Sequence, residues 1–212
     1  MKKVIAINGS PRKKGNTMTL LQKALEGAQS VGAETEIVHL YDLNFHGCRS
    51  CFCCKRKESD YWCKCASKDE LSPVLEKAMN CDVVLLGSPI FVCNITGAMK
   101  SFLERFIFMN VSYDKNSKTN LEKSINVGCV FTGAFPADPV PIYMPIFEWL
   151  KDNGKTLNGK WEYIVSLDAY QFPDYSKFAT GLINEPHKSK VRLEQFPADC
   201  QNAFEMGRRL TL

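Results

Sequence analysis

Ile7-Asn8-Gly9-Ser10-Pro11-Arg12-Lys13-Lys14-Gly15-Asn16-Thr17 is the stretch on which the reading of this 212-residue chain turns, because an apolar run ends at its first residue and a helical pattern begins at its last. Upstream, Val4-Ile5-Ala6-Ile7 is a short continuous apolar run, the pattern of a parallel-sheet strand buried on both faces. Downstream, Leu20, Leu21, Ala24, Leu25 and Ala28 recur at helical spacing. The stretch therefore joins the C-terminal end of a strand to the N-terminus of a helix. Unpaired backbone N–H groups and the positive end of the helix dipole converge at such a junction, and Gly9 and Gly15 let the backbone approach an anion. Ser10, Asn16 and Thr17 add neutral donors, and Arg12 adds a guanidinium fork. The alternative is a plain connection in which Asn16 or Thr17 serves only as an N-cap. Neither Gly-x4-Gly-Lys-Ser/Thr nor Gly-x-Gly-x2-Gly occurs here, so the expected anion is a phosphate monoester on some cofactor.

A chain of this length suits one α/β domain spanning residues 1–212 and needs no disulfide or metal for its core. The formal charge is +4 and the basic residues are scattered, apart from Lys55-Arg56-Lys57 in a loop, so nucleic-acid binding is not expected. The apolar part of Met1–Ile7 is too short for a signal peptide, and Gly87, Pro89 and Asn94 break the later apolar stretch, so no membrane segment and a cytoplasmic location are expected. Six of the ten cysteines fall between Cys48 and Cys65, which in a cytosolic chain argues for metal, cluster or redox chemistry.

Further along, 34–40 reads as a second strand and 44–68, with no period, as a functional loop. A helix follows with Leu71, Val74, Leu75 and Ala78, entered by Ser67 or Asp69 as cap. Asp82–Gly87 is the third strand, Ser88–Asn94 a second strand-to-helix loop, and Ala98, Phe102, Leu103, Phe106 and Ile107 mark the next helix. Ser124–Phe131 and Trp161–Leu167 are the fourth and fifth strands, with a helix through Ile146–Leu150 between them. The spacing predicts a closing helix over 198–210 that starts at Pro197. Alternating strands and helices predict a doubly wound five-stranded parallel sheet of order 2-1-3-4-5, whose switch point lies between strands one and three. There the loops Gly9–Thr17 and Ser88–Asn94 would face each other.

Asn-Gly-Ser-Pro-Arg before Gly-Asn-Thr, then Gly87-Ser88-Pro89-Ile90-Phe91, then Gly97-Ala98-Met99-Lys100-Ser101-Phe102-Leu103-Glu104-Arg105 follow one another in an order that resembles the flavodoxin-like NAD(P)H-dependent FMN reductases. Their cysteine-bearing branch, which includes the iron-sulfur flavoproteins, is especially similar. The resemblance implies a flavodoxin-like fold and an FMN whose phosphate is held by Ser10, Arg12, Asn16 and Thr17. It also implies that Pro89, Ile90, Phe91 and Asn94 line the isoalloxazine, partly through main-chain atoms, and that Thr132-Gly133-Ala134 touches its other edge. With the flavin as reactive group and NAD(P)H as donor, the chain supplies position and electrostatics, and no side chain is named as catalytic. No Gly-x-Ser-x-Gly elbow is present, and His39, His46 and His187 form no local pattern. The family also suggests a homodimer or higher assembly, with Tyr170–Phe178 as subunit contact or flavin cover.

Cys48-x2-Cys51-x2-Cys54 has the spacing with which three thiolates wrap a corner of a [4Fe-4S] cluster, a fourth coming from Cys63 or Cys65. Cys65 is preferred because it precedes Asp69-Glu70 as the family's last cysteine precedes an acidic pair. The segment after Cys54 is longer than in the family, and Cys53 is an additional neighbour. A [4Fe-4S] cluster, free or redox-active thiols, and a zinc or other metal on four thiolates are the three readings of the loop. With a cluster, electrons would pass to a one-electron carrier protein; without it, to a small-molecule acceptor. Cys81, Cys93 and Cys129 read as small buried hydrophobes.

Overall fold

A computed structural model describes residues 1–136 and 143–212. Its sheet contains β1 (Lys3–Asn8), β2 (Glu34–His39), β3 (Val83–Phe91), β4 (Asn94–Ile95), β5 (Ile125–Thr132) and β6 (Asn158–Ser166). The helices are α1 (Asn16–Gln29), α2 (Ser72–Asn80), α3 (Gly97–Phe108), α4 (Met144–Gly154) and α5 (Glu185–Thr211). The long strands run parallel in the order β2-β1-β3-β5-β6, and β4 pairs antiparallel with β3. With the two-residue β4 set aside, this is the expected 2-1-3-4-5 arrangement of the flavodoxin-like fold.

The continuous apolar run of β1 follows from burial on both faces. Ile5 and Ile7 join the core under α2, α3 and α4, while Val4 and Ala6 pack with Leu20, Leu21 and Ala24 of α1 and Ala203, Met206 and Leu210 of α5. The helices α1 and α5 meet at paired glycines. A Cβ on Gly27 would lie 1.9 Å from the Phe204 carbonyl oxygen, and one on Gly207 would lie 1.9 Å from that of Ala24. Only glycine permits this backbone approach.

Three expectations are corrected. The segment Ser88–Asn94 is not a loop: β3 continues to Phe91 and turns through Val92 and Cys93 into β4, with Ile90 opposite Ile95 and Phe91 opposite Asn94. Val92 (φ 48°) and Cys93 (φ 59°) take the left-handed conformation that a two-residue hairpin of this twist requires, without the usual Asn-Gly signal. The last helix does not start at Pro197 but at Glu185, where the Asn184 side chain accepts a hydrogen bond from His187 N at 3.1 Å. Pro197 sits inside it, because a proline there removes one N–H whose carbonyl partner belongs to Leu193, a residue largely open to water. The helix after the cysteine loop begins at Ser72, with Pro73 in its first turn, so Ser67 and Asp69 precede it as a folded approach and not as its cap.

Candidate functional site

Beyond the C-terminal ends of β1, β3 and β5 lies an open cleft of about 970 Å3, where a doubly wound sheet places its ligand. One end is polar and cationic, lined by Ser10, Arg12, Lys14, Asn16, Thr17 and Arg192; the other is apolar, with Pro89, Ile90, Phe91, Val92 and Phe135.

At the polar end, α1 starts after an extended Gly15 with no side-chain cap, which leaves its first N–H groups to the cleft and rules against Asn16 or Thr17 as a plain N-cap. Asn8 anchors the turn: its side-chain oxygen accepts from Ser10 N at 3.0 Å, and its amide nitrogen meets His39 Nδ1 at 2.9 Å. The Ser10 hydroxyl accepts from Arg12 N at 3.2 Å. Gly9 is pinned on both sides, its N–H donating to the Gly87 carbonyl at 2.8 Å and its carbonyl accepting from the Thr96 hydroxyl at 2.8 Å. Arg12 Nη1 donates to the Gln171 carbonyl at 3.0 Å, and Asn16 Nδ2 to the Tyr170 carbonyl at 3.1 Å, so the aromatic segment after β6 lies over the cationic end. That segment is stiffened by Phe172 stacked on Phe178, with ring centroids 4.1 Å apart, and by Tyr175 packed edge-on against Tyr170 and Phe172.

The hydroxyls of Thr17 and Thr132 share a buried hydrogen bond of 2.7 Å, tying α1 to the end of β5 beneath the cleft. Gly133 N donates to the Ser166 carbonyl at 2.9 Å, and Lys188 Nζ, buried in α5, donates to the Ala134 carbonyl at 2.6 Å. Burial pushes the Lys188 pKa down against the opposing charge of Asp168, whose Oδ1 lies 3.6 Å away.

The structure thus brings together Ser10, Arg12, Asn16, Thr17, Pro89, Ile90, Phe91, Thr132 and Gly133 around one cleft. Asn94 does not join them. It stands across the hairpin from Phe91, and its side-chain oxygen accepts from Ile95 N at 2.8 Å, so it shapes the turn and does not line the cleft. Arg192, absent from the sequence reading, donates from Nη1 to Asn16 Oδ1 at 2.9 Å and lays its guanidinium 4.2 Å from the Phe196 ring. No local signal marks it, since α5 alone carries it to the phosphate-loop end.

A second, smaller recess of about 20 Å3 is lined by Cys48, Cys51, Cys54 and Cys65 together with Arg105, Phe108 and Met109. Cys63 is turned elsewhere, its Sγ 3.9 Å from the Asn120 carbonyl. All ten cysteines are free thiols. Among the described residues no three His, Cys, Asp or Glu side chains are grouped to share a metal ion, and the recess has room for about one water. The donor set, four cysteines on one recess, suits a four-thiolate group. Hydrogen bonds from the Cys53 backbone N–H hold the Cys51 thiol below its ordinary pKa against burial, whereas burial pushes Cys54 up.

The loop is gripped by α3. Cys48 N donates to Glu104 Oε2 at 3.3 Å; Lys55 Nζ donates to the carbonyls of Phe108 and, at 2.6 Å, Val111 at the C-terminal end of the helix, where a cation is favoured. Arg105 Nη1 pairs with Asp69 Oδ2 at 2.6 Å. Around the recess Arg49, Arg56, Lys57, Lys64 and Lys68 are exposed, and none forms an ion pair with a described residue.

A family model described as NADPH-dependent FMN reductase matches residues 2–124. An iron-sulfur flavoprotein of Archaeoglobus fulgidus is 37% identical over 103 residues, 49% of this chain and 48% of that protein. One of Methanocaldococcus jannaschii is 32% identical over 116 residues, 55% of this chain and 58% of that protein. The chain spans about half the length of these curated relatives. Two solved structures share the fold over nearly the whole chain. A NAD(P)H:quinone oxidoreductase from Methanothermobacter marburgensis has a TM-score of 0.70 at 13% identity and covers 99% of this chain and 98% of that one. An FMN-dependent NADH-azoreductase of Bacillus anthracis, in complex with FMN, has a TM-score of 0.67 at 11% identity and covers 100% of both. Among the described residues no helix is long and apolar enough to cross a membrane.

Proposed function

The chain belongs to the NADPH-dependent FMN reductase family, and from that membership and the polarity of the cleft we propose that it is an FMN-dependent oxidoreductase. It takes electrons from NAD(P)H and passes them to a small acceptor or, through the cysteine loop, to a one-electron carrier protein. The observation that carries this reading is one cleft that is cationic and donor-rich at the start of α1 and apolar at its other end, the complement of a flat ring ending in a phosphate.

In this reading the N-terminal N–H groups of α1, with Ser10, Arg12, Asn16 and Thr17, hold the phosphate, and Arg192 is a second guanidinium beside it. Pro89, Ile90 and Phe91 flank one side of the ring, and Thr132 and Gly133 meet its other edge. Bound FMN supplies hydride acceptance and stepwise electron release. The chain orients the ring at the sheet edge, and Tyr170–Pro173 covers the phosphate end from water. No lining side chain is needed as acid, base or nucleophile.

Cys48, Cys51, Cys54 and Cys65 would hold a four-thiolate iron-sulfur group, which supplies a one-electron store. Support comes from their shared recess and from the names of the curated relatives. A homodimer or larger assembly in the cytoplasm completes the reading, and light scattering measures the assembly.

Anaerobic purification with an absorption spectrum, FMN quantitation, and iron and acid-labile sulfide assays is the decisive experiment. Bound FMN that is bleached by NADH or NADPH supports the oxidoreductase. A colourless protein that retains no FMN on reconstitution defeats it, and bound FMN that neither nucleotide reduces leaves a flavodoxin-type carrier. A second reading of the loop alone, as redox-active thiols, predicts flavin bands without iron or sulfide.

A further inference from the structure

Among the described residues Arg105 is the largest fully buried side chain, 1% exposed, and it stands at the wall of the thiol recess. A guanidinium in that position is costly unless its charge and its donors are matched, and an apolar side chain of similar volume would serve the core as well or better. Its donors are matched in one direction only, toward the cysteine loop. Nε donates to Cys65 Sγ at 3.2 Å, Nη1 to the His46 carbonyl at 3.2 Å and to Asp69 Oδ2 at 2.6 Å, and Nη2 to Ser72 Oγ at 3.3 Å. His46 precedes the first cysteine of the loop; Asp69 and Ser72 follow the last. One planar fork therefore fixes the two ends of the loop relative to each other and holds a specific sulfur between them.

Asp69 is the carboxylate paired with Arg105 among the described residues, so the bond to sulfur is not needed to give the guanidinium a counter-charge. Its effect is on Cys65. Of the two cysteines available as a fourth donor, Cys65 is turned into the recess with Cys48, Cys51 and Cys54, and Cys63 points to the Asn120 carbonyl. We propose that Arg105 is a positioning residue that selects Cys65 over Cys63 as the fourth thiolate and, through its N–H to that sulfur, stabilises the more reduced state of the group held there. This rests on the iron-sulfur reading of the loop. The sign follows from electrostatics: a cation and an N–H aimed at a ligand sulfur favour the more negative redox state and so raise the reduction potential.

The test uses the full-length protein purified anaerobically, with FMN content as the measure of folding. Cys63→Ser keeps the iron and sulfide stoichiometry of the wild type, and Cys65→Ser loses it. Arg105→Lys keeps a positive charge near Asp69 but not the fork; the double variant Arg105→Met, Asp69→Asn removes the pair without stranding a charge. Both are expected to bind FMN as the wild type does, to show a more negative midpoint potential in an EPR-monitored titration, and to lose iron to a chelator on the order of 10–100-fold faster. Ser72→Ala, which removes a fork partner but not the sulfur bond, leaves the potential in place. Unchanged potential and iron retention in both Arg105 variants overturn the proposal, as does iron retained by Cys65→Ser and lost by Cys63→Ser. Flavin without iron or sulfide in the wild type defeats the reading of the loop and the proposal with it, and is recognised before any variant is made.

Discussion

Arg12 and Arg192 reach the same end of the cleft from opposite ends of the chain. If both serve the phosphate, Arg192→Gln removes a charge-assisted hydrogen bond of about 1.5–3 kcal/mol. FMN affinity then falls roughly 10–100-fold, read by flavin fluorescence titration, with unchanged thermal stability of the apoprotein; an unaltered affinity would place Arg192 outside the site. Arg12, Asn16 and Thr17 were legible because one loop carries them between a strand and a helix. Arg192 was not, because it meets Asn16 only through the packing of α5 on α1. Asn94 misled for the converse reason: it is adjacent in sequence to cleft residues, but a hairpin turns it aside. Asp69 yields a pH prediction. Hydrogen bonding and charge from Arg105 outweigh burial and hold its pKa below the ordinary 3.8. A carboxylate with a depressed folded pKa contributes stability that is fully present above the unfolded value and is lost as pH falls through the folded one. Denaturant titrations should therefore show a wild-type advantage over Asp69→Asn at neutral pH that shrinks below about pH 4; a gap independent of pH would contradict the depressed carboxyl.

The β3–β4 hairpin and the α1–α5 crossing are the elements most at odds with local propensity. Val92 is β-branched, left-handed and 96% exposed, so strain of about 1–3 kcal/mol is carried at a position with little packing to repay it. Val92→Gly relieves it at an entropic cost of about 0.5–1 kcal/mol, and chemical denaturation should show a net gain of about 1 kcal/mol; a loss would mean that the valine packs in the folded protein. The crossing behaves in the opposite way. Gly207→Ala drives a methyl into the Ala24 carbonyl and is expected to cost about 1–3 kcal/mol or more in the same assay. Hydrophobic period identified all the long strands and α1 through α4, since burial on one or two faces writes itself into spacing. It did not identify β4, two residues held by tertiary pairing, nor the first half of α5, which is mostly exposed and carries a proline in its interior.

Across the whole molecule, charge is segregated. Residues 48–68 contain Arg49, Lys55, Arg56, Lys57, Lys64 and Lys68 against Glu58 and Asp60, a surplus of four that equals the formal +4 of the entire chain, leaving the remainder neutral. A local field of this kind steers an acidic partner and is screened by salt. Stopped-flow reduction of an acidic one-electron carrier should slow steeply between about 0.01 M and 0.1 M salt, as the Debye length falls from about 30 Å to about 10 Å. Reduction of the protein by NAD(P)H should respond far less, and equal salt dependence of the two steps would argue against the loop as exit point. The sheet order was readable from the alternation of strands and helices, whereas the grip of α3 on the loop was not, because it is made by residues spaced along a later helix. That grip has a consequence for the making of the protein. The cysteines leave the ribosome ahead of Glu104, Arg105, Phe108 and Val111, all of which hold the loop. At about 5–20 residues per second the nascent loop spends on the order of seconds without its helix, so its thiols meet the cell's oxidants and metals before they meet the residues that arrange them.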